Sequence, residues 1–320
     1  MKVIGGIYMR KVKEGTVALG KEKKHIKNLY MYILLLPGMI LTGIFCYLPM
    51  AGLIMAFQDF DILKGFFDSP WVGLENFAKV LSTRGFVDSI TNTVFYSVVM
   101  LFGKFPFPII LALLFNEVRS TKFKRITQTI SYFPHFLSWT AVCGILYSLF
   151  ALEGPFNELM GSIVGDGWVN TNILMESDNF LGILFTSSLW KELGWSCIIY
   201  LAAIAGVDAS LYEAAEIDGA NRLQQAWHIT IPCIRETMVL LLILGLGGLV
   251  NSNFEAMYGL QNAYTQADTE TISTIVYRSG IQGGKYSLTT ALGLMQGVIS
   301  FALVALGNRI SKKIAGYGLW

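Results

Sequence analysis

Amide, carboxylate and phenol side chains share one face of an apolar segment between residues 237 and 258. Asn251, Glu255 and Tyr258 follow one another at i, i+4 and i+7, with Asn253 and Phe254 alongside. Amides and carboxylates hydrogen-bond hydroxyl groups, and an aromatic ring packs against C–H surfaces. This stripe therefore suits contact with a polyhydroxylated solute. Hydrogen bonding between helices, or a position outside the hydrocarbon, are alternative roles for Asn251 and Glu255.

Other polar residues stand inside apolar segments, where a charge or an amide is costly to bury and usually faces a protein interior or a water-filled cavity. Asn92 and Tyr96 are one helical turn apart and are further candidates for solute contact. His135 follows Pro134, which predicts a helix break capped by the histidine.

A lysine and a glutamate, Lys191 and Glu192, stand between two tryptophans. Tryptophan is enriched where a membrane meets water, so a structural role at that boundary is favoured over contact with solute.

Covalent chemistry has little support in this sequence. The run GTVALGKE at residues 15–22 comes close to a phosphate-binding loop, but Glu22 replaces the hydroxyl that would bind magnesium. The four cysteines have no C-x-x-C spacing, and the three histidines are far apart. We predict neither a metal site nor catalytic residues, and no cofactor bound by this chain.

The composition indicates a membrane protein. Of the 320 residues, 53% are hydrophobic and only 14% are charged, whereas soluble domains carry about 25% charged residues. The net charge of +2 gives no reason to expect a nucleic acid partner. We therefore expect the protein to be surrounded by membrane lipid.

Six apolar segments are long enough to cross a membrane, since about 20 residues of helix span the hydrocarbon. We therefore predict an all-α polytopic membrane protein with six transmembrane helices, at about residues 30–57, 89–115, 127–150, 180–205, 237–258 and 288–306. Lys104, Pro106 and Pro108 predict a break in the second span that is packed inside protein. Gly293 and Gly297 in the sixth form a G-x-x-x-G step, which is explained by close helix packing or by chance.

Lysine and arginine set the orientation because they favour cytoplasmic loops. With the N-terminus inside, 17 of these residues fall on the cytoplasmic side and five outside. We predict that both termini are cytoplasmic, with tails at 1–29 and 311–320 around a transmembrane domain at 30–310. The outer loop at 151–179 has acidic residues and no lysine or arginine. Either it receives a basic partner surface, or positive charge is simply avoided outside.

The cytoplasmic segment at 205–234 predicts two short amphipathic helices. Asp218 and Gly219 mark the turn between them, since glycine accepts positive φ. Leu223, Trp227 and Ile231 then recur every four residues before Pro232, which we expect to stop the helix. Two exposed helices with this much apolar surface fit the groove of a partner protein. An amphipathic loop lying on the membrane surface is the alternative.

The run EAAEIDGAN at 213–221, with Ile229 and Pro232 downstream, resembles the EAA loop of binding-protein-dependent ABC importer permeases. Trp227 follows Ala226 where that family usually has phenylalanine, and Ile231 replaces the usual leucine. The resemblance implies the type I ABC importer permease fold and a coupling loop that docks on a cytoplasmic ATPase. The residues that it assigns to this role are Glu213, Ala214, Ala215, Asp218, Gly219, Ala220, Trp227 and Pro232.

The resemblance extends from residue 30 over nearly the whole chain. It rests on the segments at 34–61, 69–77, 130–139 and 188–208. They resemble the branch of the family that imports polysaccharide fragments and oligosaccharides across the bacterial cytoplasmic membrane, including lipoprotein-type and alginate-type permeases. The resemblance implies a second homologous permease subunit, two ATPase subunits that bind ATP and magnesium, and an extracytoplasmic sugar-binding protein.

Two other classes of protein compete with this interpretation. An ion- or proton-coupled secondary transporter would use intramembrane acids or histidines and usually an inverted repeat, and the sequence shows no repeat. A membrane-embedded enzyme would need paired carboxylates or zinc ligands within the spans, and these are absent from the sequence.

Overall fold

A computed structural model describes residues 22–248, 253–316 and 318. α-Helices dominate this part of the chain, and strand pairing within it is limited to one isolated bridge between Gln58 and Trp71. The α-helices are α1 Glu22–Thr42, α2 Gly65–Asp68, α3 Glu75–Ser82, α4 Arg84–Lys104, α5 Pro106–Glu117, α6 Thr121–Tyr132, α7 Trp139–Leu149, α8 Pro155–Val164, α9 Ser177–Ala205, α10 Ala209–Ile217, α11 Arg222–Gln225, α12 Ile231–Cys233, α13 Arg235–Gly247, α14 Phe254–Leu260, α15 Gln266–Thr269, α16 Ile272–Ile275 and α17 Tyr286–Ala315. π-Helical turns occupy Gly43–Tyr47, Ala226–Thr230 and Val276–Gln282, and 3₁₀ segments occupy Leu48–Phe57, Phe133–Phe136, Gly165–Gly167 and Ile173–Met175.

The chain divides into two compact units, residues 1–54 and residues 55–320. In the first unit α1 continues into the π and 3₁₀ turns, and its large apolar side chains from Met31 onward are exposed. Exposed leucine, isoleucine and methionine along a whole helix match a hydrocarbon environment better than water. The second unit holds the packed helices that position the candidate sites.

Helices long and apolar enough to cross a membrane are found at Met31–Phe57, Arg84–Glu117 and Tyr286–Lys313 within the described residues. Two bent pairs qualify when each is taken together: Ser177–Ala205 with Ala209–Ile217, bent by 73°, and Arg222–Cys233 with Arg235–Gly247, bent by 61°. The helical class is therefore confirmed, and several of the described helices are apolar and long enough to span a membrane. The count of six spans stays a prediction.

The second predicted span is interrupted where the prolines predict a break, although Arg84–Glu117 continues as one long helix across the interruption. α4 ends at Lys104 and α5 begins at Pro106, because a proline has no N–H to donate to the preceding turn. The third predicted span is broken as well, by the 3₁₀ segment Phe133–Phe136 between α6 and α7. The predicted histidine cap is wrong: Ser138 caps α7 by accepting the backbone N–H of Ala141 at 3.1 Å.

The fifth predicted span is not one helix. α13 ends at Gly247, and α14 begins at Phe254 with Asn253 as its N-cap. Of the predicted stripe, Glu255 and Tyr258 lie on α14, whereas Asn251 lies outside the described residues. Glycine at 245, 247 and 248 explains the end of α13, because glycine has low helix propensity.

The long helix α9 lies at the centre of the second unit. It packs against α5, α6 and α14, and its close approach to α6 depends on Gly194. A Cβ atom built at Gly194 would overlap the backbone carbonyl of Ser131 in α6. Glycine is required at this point because the helices would otherwise be pushed apart.

The glycine step in α17 makes no comparable contact. A Cβ atom at Gly293 or Gly297 meets open space within the described chain. Close packing occurs further along the same helix, where a Cβ at Gly307 would overlap Leu246 of α13.

The helices also cross two predicted boundaries. α1 begins at Glu22, inside the predicted tail at 1–29, and α17 continues to Ala315, inside the predicted tail at 311–320. The apolar part of each helix thus has a polar helical extension of one to two turns.

Candidate functional site

The first half of the loop at 205–234 is a short helix with both ends fixed. Asp208 caps the start of α10, because its carboxylate accepts the backbone N–H of Ser210 at 3.0 Å. This hydrogen bond also lowers the pKa of Asp208. At the other end Ala220 N–H donates to the Ala215 carbonyl at 2.8 Å, and Gly219 N–H donates to the Glu216 carbonyl at 3.1 Å.

These two bonds form a Schellman motif, which requires a left-handed residue at its turn. Gly219 has φ of +80° and occupies that position. The turn predicted at Asp218 and Gly219 is therefore present, and its geometry explains the glycine.

The second half of the loop starts at a capping box. Asn221 Oδ1 accepts the backbone N–H of Gln224 at 2.9 Å, and Gln224 Oε1 accepts the backbone N–H of Asn221 at 2.8 Å. The helical stretch Arg222–Cys233 ends one residue after Pro232, close to the helix end predicted at that proline. The chain bends one residue after α12, at Ile234.

Side-chain contacts join the two halves. The hydroxyl oxygens of Tyr212 and Thr230 are 2.9 Å apart, and Thr230 is buried. Gln225 is also buried and donates from Nε2 to the Ala220 carbonyl at 3.1 Å. The loop is thus a preformed unit, since each half is held by hydrogen bonds to the other.

One arginine ties this unit to the rest of the chain. Arg222 lies 3.3 Å from Glu216 in α10 and 3.8 Å from Glu117 at the end of α5, measured between the nearest nitrogen and oxygen atoms. All three side chains are about half exposed, so each ion pair adds little stability. They connect the start of α11 to α10 and to the end of α5.

Large apolar side chains on the loop are exposed. The exposed fraction is 87% for Ile217, 78% for Leu223 and 66% for Trp227. The remaining residues of the predicted coupling set are exposed or half-buried, namely Glu213, Ala214, Ala215, Asp218, Gly219, Ala220 and Pro232. All eight residues of the predicted coupling set are thus at least partly exposed along the loop at 205–234.

A cavity of about 650 Å³ lies among α4, α5, α7, α9, α13 and α14. This volume is in the range of about 300–1,000 Å³ that is typical of ligand pockets. Aromatic rings and hydroxyl or amide groups share its lining: Tyr96, Trp139, Trp195, Tyr200, Ser97, Ser188, Ser196 and Asn253. A surface of this composition suits a solute with hydroxyl groups on an apolar ring.

Charged residues stand at one side of the cavity. Glu192 lines it and holds His135, with Glu192 Oε2 at 2.8 Å from His135 Nδ1. Lys191 is 5% exposed, donates from Nζ to the His135 carbonyl at 2.7 Å and lies 3.5 Å from Glu192 Oε1. Trp195 stacks on the His135 ring at 4.4 Å between centroids. The pair Lys191 and Glu192 thus fixes the break in the third predicted span to α9.

The predicted pathway residues separate into two groups. Tyr96 and Asn253 line the cavity. Asn92 does not. Its Nδ2 donates to the backbone carbonyls of Asp268 at 2.8 Å and Glu270 at 3.0 Å, so it holds the segment between α15 and α16.

Tyr258 belongs to an aromatic cluster outside the cavity lining. Its ring stacks with Phe254 at 5.3 Å and meets Tyr277 edge-on at 5.1 Å between centroids. Arg278 lies over the Tyr258 ring at 5.1 Å and pairs with Glu270 at 3.1 Å. Glu255, three residues before Tyr258 on α14, is exposed.

Sequence reasoning did not select Lys104, Glu192 and Trp195 as cavity residues. A lysine inside the second predicted span was visible as a costly charge, which is the signal that could have identified Lys104. Glu192 and Trp195 had no such signal, because the prediction placed them at the outer end of a span.

The helical fold, the two-helix loop and the central cavity define a membrane-embedded subunit of a transport system. The chain belongs to the family described as the binding-protein-dependent transport system inner membrane component, which it matches over residues 104–316. Membership of this family favours the ATP-driven importer over the ion- or proton-coupled secondary transporter.

Two curated relatives come from Bacillus subtilis (strain 168). The chain is 41% identical to the polygalacturonan/rhamnogalacturonan transport system permease protein YteP over 298 residues, which cover 93% of this chain and 92% of the relative. It is 40% identical to the protein LplB over 295 residues, which cover 92% of each.

A solved structure has the same fold. It is a bacterial alginate ABC transporter in complex with an alginate pentasaccharide-bound periplasmic protein. The match has a TM-score of 0.85 and 35% identity, and it covers 93% of this chain and 99% of the other. At this similarity the fold over nearly the full length is the type I ABC permease fold.

Proposed function

We propose that this chain is the permease subunit of an ATP-driven importer that moves oligosaccharides across the bacterial cytoplasmic membrane by alternating access. The observation that carries the proposal is the loop at 205–234, whose two helices are fixed by caps and by the bond between Tyr212 and Thr230. A preformed loop with exposed apolar side chains is suited to dock in a groove and to transmit a rigid-body motion.

The docking partner is a cytoplasmic ATPase. Ile217, Leu223 and Trp227 supply the apolar contact, and Ala214 and Ala215 allow close approach because they are small. Two ATPase copies bind ATP and magnesium, and each engages one permease. A second homologous permease completes the membrane domain, and both termini of this chain face the cytoplasm.

An extracytoplasmic sugar-binding protein delivers the solute. Support comes from the solved alginate transporter, which is in complex with its pentasaccharide-bound periplasmic protein. The polygalacturonan and rhamnogalacturonan system supports a carbohydrate solute as well.

The cavity among α4, α9 and α13 is the solute path within this subunit. Tyr96 and Asn253 contact the solute there, together with Trp139 and Trp195. Aromatic rings bind the C–H faces of sugars while amide and hydroxyl groups bind the sugar hydroxyls. Glu255 and Tyr258 contact it on a separate part of the path, on α14.

Copurification tests the ATPase partner. The tagged chain is purified from its own membrane, and the associated ATP hydrolysis is measured for wild type and for Trp227→Ala. A buried aromatic anchor at an interface is commonly worth about 2 kcal/mol or more. We therefore expect Trp227→Ala to lose at least about tenfold of the associated ATPase activity.

Trp71→Ala is the matched control, since Trp71 is 63% exposed and Trp227 is 66% exposed. Trp71 lies before the second predicted span, on the predicted outer side, so its variant should retain the ATPase. A wild-type chain that purifies without any nucleotide-hydrolysing subunit would contradict the proposal.

A further inference from the structure

Two residues carry the full charges in the cavity lining described above, Lys104 and Glu192. Both oxygens of the Glu192 carboxylate already have partners. His135 Nδ1 lies 2.8 Å from Oε2, and Lys191 Nζ lies 3.5 Å from Oε1. The close contacts of the Glu192 carboxylate are therefore made to His135 and Lys191.

Lys104 differs from Glu192 in this respect. No carboxylate within the described residues lies within 4 Å of its ammonium group. Its side chain is half-buried in the cavity wall. A lysine in such a place is costly because its charge is partly desolvated, and Glu192, more than 4 Å away across the cavity lining, offsets only part of that loss.

The backbone holds Lys104 at this position. It is the last residue of α4, and Phe105 N–H donates to the Leu101 carbonyl at 3.1 Å before Pro106 opens α5. Cations are stabilised at the C-terminal end of a helix, where carbonyl groups are unpaired. Pro108 has no N–H for the Lys104 carbonyl, so this carbonyl lacks the donor that an unbroken α-helix would supply. The break between α4 and α5 thus presents a fixed positive charge to the cavity.

Groups suited to a sugar surround this charge. Tyr96 and Ser97 lie on the same helix two turns earlier, and Trp195 and Ser196 face the cavity from α9. Lysine pairs with a carboxylate as a point charge, and such hydrogen bonds are stronger than those between neutral groups. The lining therefore combines sites for sugar rings and hydroxyls with one site for an anion.

We infer that Lys104 binds a carboxylate of the solute, so that this permease selects oligosaccharides containing uronic acid over neutral oligosaccharides of the same length. The inference rests on the proposed function, since it places the solute in the cavity of an importer. Lys104 sets specificity in this account, whereas Trp139, Trp195 and the hydroxyl groups contribute affinity for both kinds of sugar.

Direct binding to the purified permease and ATPase complex tests the inference. The probes are trigalacturonate and the neutral trisaccharide obtained by reducing its carboxyl groups. Trp139 and Trp195 line the cavity, so intrinsic tryptophan fluorescence reports binding. The wild type should bind trigalacturonate more tightly than the neutral sugar, and the preference should fall with increasing salt.

Lys104→Met should lose about tenfold or more in affinity for trigalacturonate, because a hydrogen bond to a charged group is removed. Its affinity for the neutral trisaccharide should change little. Lys104→Arg keeps the charge and should keep most of the preference. Lys64→Met is the matched control, since Lys64 is an exposed lysine outside the cavity and its loss should leave both affinities unchanged.

Three results would overturn the inference: a wild type without preference for the acidic sugar, a wild type that binds neither sugar, or a preference that survives in Lys104→Met. If the Lys104→Met variant fails to assemble, the same binding comparison is made with Lys104→Gln. A preference for the acidic sugar that survives in Lys104→Gln, or that does not fall with salt in the wild type, would then overturn the inference. The copurified ATPase is measured on the same samples. If the wild-type complex contains no ATPase, the proposed function is contradicted. If the ATPase is present but the complex does not prefer trigalacturonate, only the role of Lys104 is contradicted.

Discussion

The hydroxyl oxygen of Tyr212 lies 2.9 Å from the hydroxyl oxygen of Thr230, and this contact joins the two helices of the coupling loop. Eighteen residues of chain separate the two side chains, including the left-handed turn at Gly219. Because Thr230 is buried, water does not replace the bond readily. The loop keeps its shape before any partner arrives.

The bond between these hydroxyls should matter for transport. Tyr212→Phe removes it while preserving the ring, at a net cost of about 0.5–1.5 kcal/mol. We expect solute uptake per assembled complex to fall about two- to tenfold, since a looser loop transmits less of the ATPase motion. Uptake of labelled oligosaccharide into proteoliposomes measures this. Tyr264→Phe, at an exposed tyrosine outside the loop, should transport normally.

The turn at Gly219 gives a sharper test. Gly219→Pro should abolish uptake while leaving membrane insertion intact, because proline fixes φ near −65° and the turn needs φ of +80°. Gly219→Asn should retain much of the uptake, since asparagine tolerates the left-handed region. Uptake assays with quantified membrane protein compare the two. Normal uptake by the proline variant would remove the coupling role from this loop.

The close helix packing at Gly194 should make the stability of the protein sensitive to a larger residue at this position. Gly194→Ala places a methyl group on the backbone carbonyl of Ser131, so α6 and α9 must separate. Such overpacking typically costs about 1–3 kcal/mol. We expect a lower temperature of thermal unfolding for the purified complex. Gly182→Ala on the same helix meets open space and should unfold at the wild-type temperature or slightly above it, because alanine favours helix.

Glu255 is an exposed carboxylate on α14, close in sequence to the aromatic cluster of Phe254 and Tyr258. Glu255→Ala should impair uptake with ATPase association unchanged, if the carboxylate contacts sugar hydroxyls on the path. The reference is Glu153→Ala, at an exposed acid of the loop at 151–179. Kinetics indistinguishable between the two variants would demote Glu255 to a structural role.

The sequence was most informative where one local pattern determines one structure. The run at 213–221 contains the glycine of a Schellman turn and the asparagine of the following cap, and both are present. Pro106 and Pro108 predicted the end of α4 for the same reason, since a missing N–H acts on its own helix whatever the surroundings are.

Hydropathy alone failed where glycines or tertiary contacts interrupt an apolar run. Residues 237–258 looked like one span, yet α13 ends at Gly247 and α14 begins after Asn253. His135 was predicted to cap its own break, but its ring is held by Glu192, 57 residues away. A pairing of this kind follows from the packing of α9 against the break. The spacing of residues along the sequence does not predict this pairing.

The same dependence on tertiary contacts explains why the sequence pointed to the wrong glycines for close helix packing. The G-x-x-x-G step at Gly293 and Gly297 was the visible packing signal, but the close contact falls at Gly194, which has no such pattern. Glycine is needed wherever two backbones approach, and the partner backbone at Ser131 is distant in sequence. The cavity charge at Lys104 was visible for the opposite reason, because a lysine in an apolar run is costly by itself.

Cross-linking from the loop is the most direct test of whether residues 205–234 dock on an ATPase subunit. Leu223 is a 78% exposed apolar residue of the coupling loop. Leu223→Cys is made in a background with serine at Cys46 and Cys233, the two exposed cysteines of the described chain. A short bifunctional thiol reagent is applied to membranes opened to the cytoplasmic side. The account predicts an adduct between position 223 and the ATPase subunit. Modification of the Leu223→Cys variant in intact cells by a membrane-impermeant thiol reagent, with no ATPase adduct formed, would contradict it.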